Sequence, residues 1–326
     1  EIGTGDWSSD VCLPISYFMT DAPNTLPTEE EITHAGFAAI IGAPNAGKST
    51  LTNHLVGTKV AIVTHKVQTT RFPIRGVAHQ GPVQIVLVDT PGIFRAKKRL
   101  DRAMVKAAWS GAEEADAVVH LIDASAWVAE QAGEATGAQK LSVEDDRRVM
   151  ETLKETGHTA FLALNKIDLF PHEKVLPIMA EMNDAGVYDE IFMISALNGD
   201  GINPLLEKLA QKMPEGPAMY PPEQTADLPI RLLAAEVTRE KLMLRLHQEL
   251  PYQLMVETES WEPFDNGAIR IRQAVIIARE QHKGMVLGKG GSAIKAIGKA
   301  AREELTELLG QPVHLFLFVK VDPKWM

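Results

Sequence analysis

An α/β fold with a mostly parallel sheet wrapped by helices, followed by a smaller α+β module, is what this 326-residue sequence predicts. Three observations predict it. Apolar runs of strand length recur through the first two-thirds, most of them ending in a short polar motif. One of them, Phe37 to Ile41, runs into a glycine-rich loop and then a helix start. After a proline-rich break near residue 214 the rhythm changes to helix, two alternating strands, helices and a closing strand.

The glycine-rich loop comes first. Gly42-Ala43-Pro44-Asn45-Ala46-Gly47-Lys48-Ser49 fits G-x-x-x-x-G-K-[ST], the phosphate-binding P-loop, and Thr50 to Val56 reads as the start of its helix. Loop amides and a helix N-terminus together favour bound phosphate. Lys48 is expected to reach the β- and γ-phosphates, and the Ser49 hydroxyl to ligate Mg²⁺. Next, Gln68-Thr69-Thr70-Arg71 offers a threonine for Mg²⁺ and the γ-phosphate, with Thr70 the first choice and Thr69 the second. The run Val83 to Val88 reads as a strand ending in Asp89-Thr90-Pro91-Gly92, which fits D-x-x-G. Asp89 would hold Mg²⁺ through water and the Gly92 N–H would meet the γ-phosphate. Losing that phosphate frees such a segment, the logic of a switch.

The base is named further on. Thr159 to Leu164 reads as a buried strand, and Asn165-Lys166-Ile167-Asp168 follows at its carboxyl end, where open α/β sheets bind ligands. In N-K-x-D the Asp168 carboxylate accepts from guanine N1–H and the 2-amino group, which adenine lacks. A buried partner left unpaired makes such a site discriminate strongly. Asn165 is expected to bridge the base and the P-loop, and the Lys166 stem to cover the base. Ser195-Ala196-Leu197 follows the run Ile191 to Ile194, and the Ala196 N–H would meet guanine O6. The expected nucleotide site thus runs from residue 42 to 50 and adds Asp89, Thr90, Pro91, Gly92, Asn165, Lys166, Asp168, Ser195, Ala196 and Leu197. Lys48, Thr70 and Gly92 carry the catalysis, and Ser49, Thr70 and Asp89 the metal.

Lys212 to Pro222 holds Pro214, Pro217, Pro221 and Pro222 and reads as a linker. Beyond it, Leu228 to Gln248 has helical spacing, and Tyr252 to Glu259 and Ala268 to Ala278 alternate as strands. Gly288-Lys289-Gly290-Gly291 follows a helical stretch, Ser292 is the expected N-cap of a helix from Ala293 to Leu309, and Val313 to Val321 closes as a strand. The order α-β-β-α-α-β with G-x-x-G between its central helices is that of a type II KH domain, which clamps about four nucleotides of backbone on that loop. Charge agrees. The chain is −10 overall, yet residues 228 to 326 hold 14 basic and 12 acidic residues. Between 270 and 302 there are 8 basic residues and one acid, Glu280, the footprint of a nucleic-acid face. Lys283, Lys289 and Lys295, with Gly288, Gly290 and Gly291, are the expected RNA contacts.

These motifs together resemble one family, the bacterial Era GTPases. G-x-P-N-x-G-K-S-T-L, Q-T-T-R, D-T-P-G-I and N-K-I-D carry the resemblance in the first half. Glu236 to Leu242 and Glu249 to Tyr252 carry it in the second, and it covers about residues 35 to 326. It departs in the G-x-x-G interior, Lys-Gly here rather than Asn-Lys. The resemblance implies slow, Mg²⁺-dependent GTP hydrolysis, binding of the small-subunit rRNA 3′ end, and assistance to 30S assembly, with no DNA partner. It implies a monomer in the cytoplasm, with peripheral association at the inner membrane in some members. In relatives with P-N-x-G-K-S the Asn helps hold K⁺, so Asn45 raises a K⁺ dependence. The glutamine that orients water in Ras-type proteins has Ile93 in its place, which implies slow turnover. A GTPase of another RNA process such as tRNA modification, and a passive RNA chaperone, are the alternative readings.

The expected domains are a leader over 1–34, a GTPase domain over 35–213, a linker over 214–228 and a KH domain over 229–326. Residues 1 to 18 look foreign, with Met19 a plausible native start, and are set aside. The sole cysteine, Cys12, excludes an internal disulfide framework. No apolar run reaches spanning length. Trp109, Trp127, Trp261 and Trp325 are expected to pack rather than stack on bases. Residues 126 to 146, rich in Gly, Glu and Ala, read as a poorly ordered insertion after the strand Ala117 to Asp123.

Overall fold

The computed structural model describes residues 26–64, 66, 73–94, 99–246, 250 and 254–323, with the side chains of 99–101 outside the description. Gln68, Thr69, Thr70 and Arg71 lie outside the described residues, as do Glu249, Pro251, Tyr252, Trp325 and the leader over 1 to 18. The chain divides into two compact units, one built on residues 26–61 and 73–227, the other on 62–66 and 228 onward.

In the first unit, strand β1 (His34–Ile41) leads through the glycine-rich loop to helix α1 (Lys48–Val56). β2 (Ile74–Gln80), β3 (Val83–Asp89), α2 (Arg99–Glu113) and β4 (Ala117–Asp123) follow. Then come α3 (Ala124–Gln131), α4 (Gly137–Thr156), β5 (Ala160–Asn165), α5 (Leu176–Ala185), β6 (Tyr188–Met193) and α6 (Ile202–Lys212). The sheet order is β2-β3-β1-β4-β5-β6, with β2 antiparallel to β3 and every other pair parallel. Side chains alternate across each strand. Ala38 and Ile40 of β1 join Leu51, Leu55, Leu205 and Leu209 on one face, while Ala39 and Ile41 join Ala108, Val149 and Leu153 on the other. Helices therefore cover both faces, and the carboxyl ends of β1, β3, β4 and β5 gather along one edge.

Residues 126 to 146 overturn the expectation of a poorly ordered insertion. They form α3, a short turn and the first half of α4. Trp127 is fully buried against Val143, Leu162 and Met182. The start of α4 is fixed by a capping box, Thr136 with Gln139, and its apolar stripe continues as Val143, Val149 and Leu153. The Gly and Glu content that suggested a loop belongs only to the turn and the solvent face.

The stretch after α6 is tied down. Ala35 N–H donates to Pro214 O and Gly216 N–H to Thr33 O. Further on, Val77 N–H donates to Thr225 O and Asp227 N–H to Arg75 O, so residues 225 to 227 run along β2, the edge of the sheet. Gln84, fully buried, accepts from Met219 and Tyr220 N–H at 2.8 and 3.0 Å and donates to Tyr220 O at 2.8 Å.

The second unit contains α7 (Ile230–Arg245), β7 (Leu254–Pro263), β8 (Ile269–Ile277), α8 (Glu280–Leu287), α9 (Ser292–Leu309) and β9 (Val313–Val321). This is the predicted order. β8 lies between β7, antiparallel, and β9, parallel. Helix α9 presents Ile297, Ala301 and Leu305 at four-residue spacing, and α7 adds Leu233, Val237 and Leu242 to the core. Ser292 is not the N-cap of α9: it is the first helical residue, and Gly291, at φ 75°, is the cap. A glycine takes that left-handed conformation without strain, and no side chain caps the helix.

Candidate functional site

The loop between β1 and α1 is held open by its own stereochemistry. Gly42 sits at φ +145°, and a Cβ there would fall 2.1 Å from the Leu121 carbonyl oxygen. Gly47, at φ +107°, would place a Cβ 2.3 Å from Asn165 Nδ2. No other residue fits either position. Asn45 is exposed at φ 64°, one of two non-glycine residues at positive φ among those described. Lys48 folds back under the loop, donating from Nζ to Gly42 O at 3.0 Å and Ala43 O at 2.8 Å. Its burial pulls the ammonium down to about 8, against the opposing pull of Asp89 and Asp146.

Ser49 Oγ donates to Asp89 Oδ2 at 2.8 Å, so the hydroxyl and carboxylate predicted to share a metal stand side by side. Hard oxygen donors, few in number, suit Mg²⁺, which keeps waters and substrate phosphates as its other ligands. The described residues contain no cluster of three or more His, Cys, Asp or Glu that could hold a metal ion. Thr90 is fully buried and donates from Oγ1 to Ile40 O at 2.7 Å, pinning the segment after β3 to β1. Gly92 packs on Pro44, where a Cβ would come within 2.9 Å of Pro44 Cγ. Ile93 N–H then donates to Gly42 O at 2.9 Å.

Asn165 lies at the carboxyl end of β5 and joins two loops. Its Nδ2 donates to Ala46 O at 2.7 Å, and its Oδ1 accepts from Ala196 N–H at 2.9 Å. Lys166 is held at φ 67°, and its Nζ pairs with Asp123 Oδ2 at 2.5 Å. Asp168 follows in a 3₁₀ turn, exposed, with no side chain bonded to its carboxylate among the described residues. Ser195 is buried; its N–H donates to Asp200 O and its carbonyl accepts from Gly199 N–H, which shapes the turn carrying Ala196. Leu197 is exposed beside it. Every described residue of the expected nucleotide site is thus gathered at one edge of the sheet, with Thr70 outside the description.

Asp123 was missed by sequence reasoning. It caps α3, accepting from Ser125 and Ala126 N–H, while it holds Lys166. The available signal was an acid at a strand's end followed by Ser, a capping pattern.

In the second unit, Gly288 ends α8 at φ 72°, where a Cβ would lie 2.7 Å from Ala293 Cβ, and Gly290 turns at φ 61° with open space around it. Lys289 and Lys295 are exposed and enter no ion pair among the described residues. Lys283 pairs with Glu280 at 3.4 Å. Two other members of the basic stripe are also neutralised, Arg270 by Glu262 and Lys299 by Glu303. Lys289 and Lys295, at the glycine loop, are two of the five members of the stripe that enter no ion pair among the described residues. No helix among the described residues is long and apolar enough to cross a membrane.

Known proteins resemble about nine-tenths of the chain. The family described as 50S ribosome-binding GTPase matches residues 37–166, and the KH domain family matches residues 249–326. The GTPase Era of Maricaulis maris is 60% identical over 291 residues, covering 89% of this chain and 93% of that protein. The GTPase Era of Caulobacter vibrioides strain NA1000 is 56% identical over 293 residues, 90% of this chain and 93% of that protein. A solved Aquifex aeolicus Era variant bound to GDP.AlF4- matches with a TM-score of 0.80 and 38% identity, covering 90% of this chain and 95% of that one. A solved complex of Era with MgGDPNP and nucleotides 1506–1542 of 16S ribosomal RNA matches with a TM-score of 0.80 and 37% identity over the same shares.

Proposed function

The chain belongs to the GTPase Era family, a P-loop GTPase domain followed by a KH domain, and from that membership we propose how its residues divide the work. Residues 42 to 50 cradle the phosphates, with Lys48 exchanging its two loop carbonyls for β- and γ-phosphate oxygens. Ser49, Asp89 and Thr70 hold Mg²⁺, which when bound neutralises charge developing on the phosphates. Asp168 reads guanine, Lys166 lies along the base with its ammonium on Asp123, and Ala196 N–H meets O6. Thr90 and Pro91 carry Gly92 to the γ-phosphate. Asn165 carries this reading: one amide group ties the phosphate loop to the base-reading turn, so base and triphosphate are recognised by one connected frame. Ile93 gives no hydrogen bond from its side chain, so water is oriented by backbone or other groups and turnover is slow.

The proposed partner of the KH unit is small-subunit rRNA near its 3′ end, as in the Era complex with 16S nucleotides, and the proposed task is 30S assembly in the cytoplasm by a monomer. Gly288 to Gly291 admit the backbone closely, and Lys289, Lys295 and Lys283 supply charge. Asn45, exposed at the loop's left-handed turn, is proposed to hold K⁺ against the phosphates. A service to tRNA modification fits less well, because the KH unit is an RNA-binding module of its own.

Competition decides the nucleotide reading. Unlabelled GTP should displace labelled GDP in Mg²⁺, and ATP should not. ATP competing equally removes Asp168 from its role. The same sample, assayed for phosphate release in K⁺ and in Na⁺ buffers, should turn over faster in K⁺; equal rates remove Asn45 from ion binding.

A further inference from the structure

Behind the phosphate loop lies a charged group that the proposed mechanism does not use. Asp146, on the apolar stripe of α4, is fully buried. Its Oδ2 accepts from the Trp127 indole Nε1 at 3.0 Å, and its Oδ1 accepts from the Ala43 backbone N–H at 3.4 Å. His120 Nε2, on β4, lies 3.6 Å from the same Oδ1, and His120 Nδ1 lies 2.7 Å from the Tyr188 hydroxyl. Burial, with the nearby Asp146 charge, pushes that hydroxyl up, so it stays protonated. A carboxylate taken wholly out of water is destabilising unless paired, and an apolar residue would pack α4 at less cost.

Peptide geometry shows what the charge holds. Ala43 N–H and Gly42 C=O belong to one trans peptide and point in opposite directions. One side of that plane meets Asp146. On the other side, Gly42 O accepts from Lys48 Nζ at 3.0 Å and from Ile93 N–H at 2.9 Å. A single peptide thus joins a buried anion to the lysine that grips phosphate and to the residue after Gly92. An acceptor on its N–H also polarises the peptide and strengthens its carbonyl as an acceptor.

We propose that Asp146 is a positioning residue of the GTPase site: through the Gly42–Ala43 peptide it fixes the carbonyl on which Lys48 and the Gly92–Ile93 segment both register. The inference rests on residues 42–49 being the phosphate loop. Asp146→Asn keeps the shape but offers one acceptor where two N–H groups converge. Affinity for GDP and for a non-hydrolysable GTP analogue should fall on the order of tenfold, the scale at which outer-shell partners act. The kcat should fall as well, because the segment after Gly92 loses its anchor. Trp127→Phe removes the donor on the other carboxylate oxygen, and should lower the melting temperature with nucleotide affinity unchanged. Parental GDP affinity and kcat in Asp146→Asn, whatever its melting temperature, overturn the proposal. Should that variant not fold, amide exchange in the unmodified, nucleotide-free chain decides. The Ala43 N–H should exchange as slowly as core amides of β1, and exchange at the rate of an open loop overturns the proposal equally. Failure of the underlying reading is distinguishable, since it appears as loss of GTP preference in the unmodified chain.

Discussion

Lys48 is a cation kept where water barely reaches it, and its chemistry should show in solution. Its ammonium is pulled from 10.5 to about 8 by burial. Between those values the unfolded chain holds more protons than the folded one, so stability rises with pH across that window. The effect on nucleotide has the opposite sense. Phosphate binds the protonated lysine, so GDP affinity should be flat below pH about 8 and weaken by about tenfold per unit above it. Calorimetric titrations at pH steps from about 7 to 9.5 measure this, and a flat profile across the range contradicts the buried-lysine account. At this scale the sequence was largely legible. Residues 42–49, Asp89, Gly92, Asn165 and Ala196, the proposed nucleotide site, stand out in the sequence because P-loop, D-x-x-G and N-K-x-D motifs fix residue types at fixed spacing. Asp123 and Asp146 did not, since each acts through a partner distant in sequence. Asp146 left one trace, an acid falling on the apolar stripe between Val143 and Val149.

Elements were legible where periodicity was undiluted. β4 and β9 were predicted with the observed bounds, β1 three residues short at its start and β3 one short at its end, while the predictions for β5 and β6 ran one residue beyond the strand at one end and stopped one and three short at the other. β2 was not predicted, because Ile74-Arg75-Gly76-Val77-Ala78-His79-Gln80 carries glycine and few β-branched residues. The helices over 126–146 were mistaken for loop because composition was weighed above the capping box. The strap formed by residues 214–227 was hidden too, since its proline content is real but its partners are main-chain groups and one glutamine. Gln84→Leu should show what that glutamine does. The exchange leaves the part-buried Met219 and Tyr220 N–H groups without their acceptor, lowering stability by about 1 kcal/mol or more. Proteolysis should then nick residues 214–227 before any other segment. A variant as stable and as resistant as its parent refutes the strap.

At the scale of the whole molecule, a guanine-nucleotide switch and an RNA clamp share one chain, and linkage binds their affinities. If a GTP analogue changes RNA affinity by some factor, RNA must change analogue affinity by the same factor. Titrations in both orders should return equal ratios with a 16S 3′ fragment, and equal RNA affinity in every nucleotide state would show that the two activities are independent. The separate roles should also dissect. Lys48→Ala should abolish nucleotide binding while leaving the RNA affinity of the nucleotide-free chain intact. Lys289→Ala should weaken RNA and reduce the salt slope by about one, with GDP affinity unchanged. The overall charge of −10 makes that local concentration of cations decisive, because the acidic remainder repels RNA elsewhere.

The main-chain pairing of residues 225 to 227 with β2 carries a practical consequence for anyone dividing the gene. A fragment stopped near residue 213 keeps every nucleotide motif yet strips the rim of its sheet, leaving a bare ladder of donors and acceptors that a second copy can zip onto. The scissors belong after Asp227.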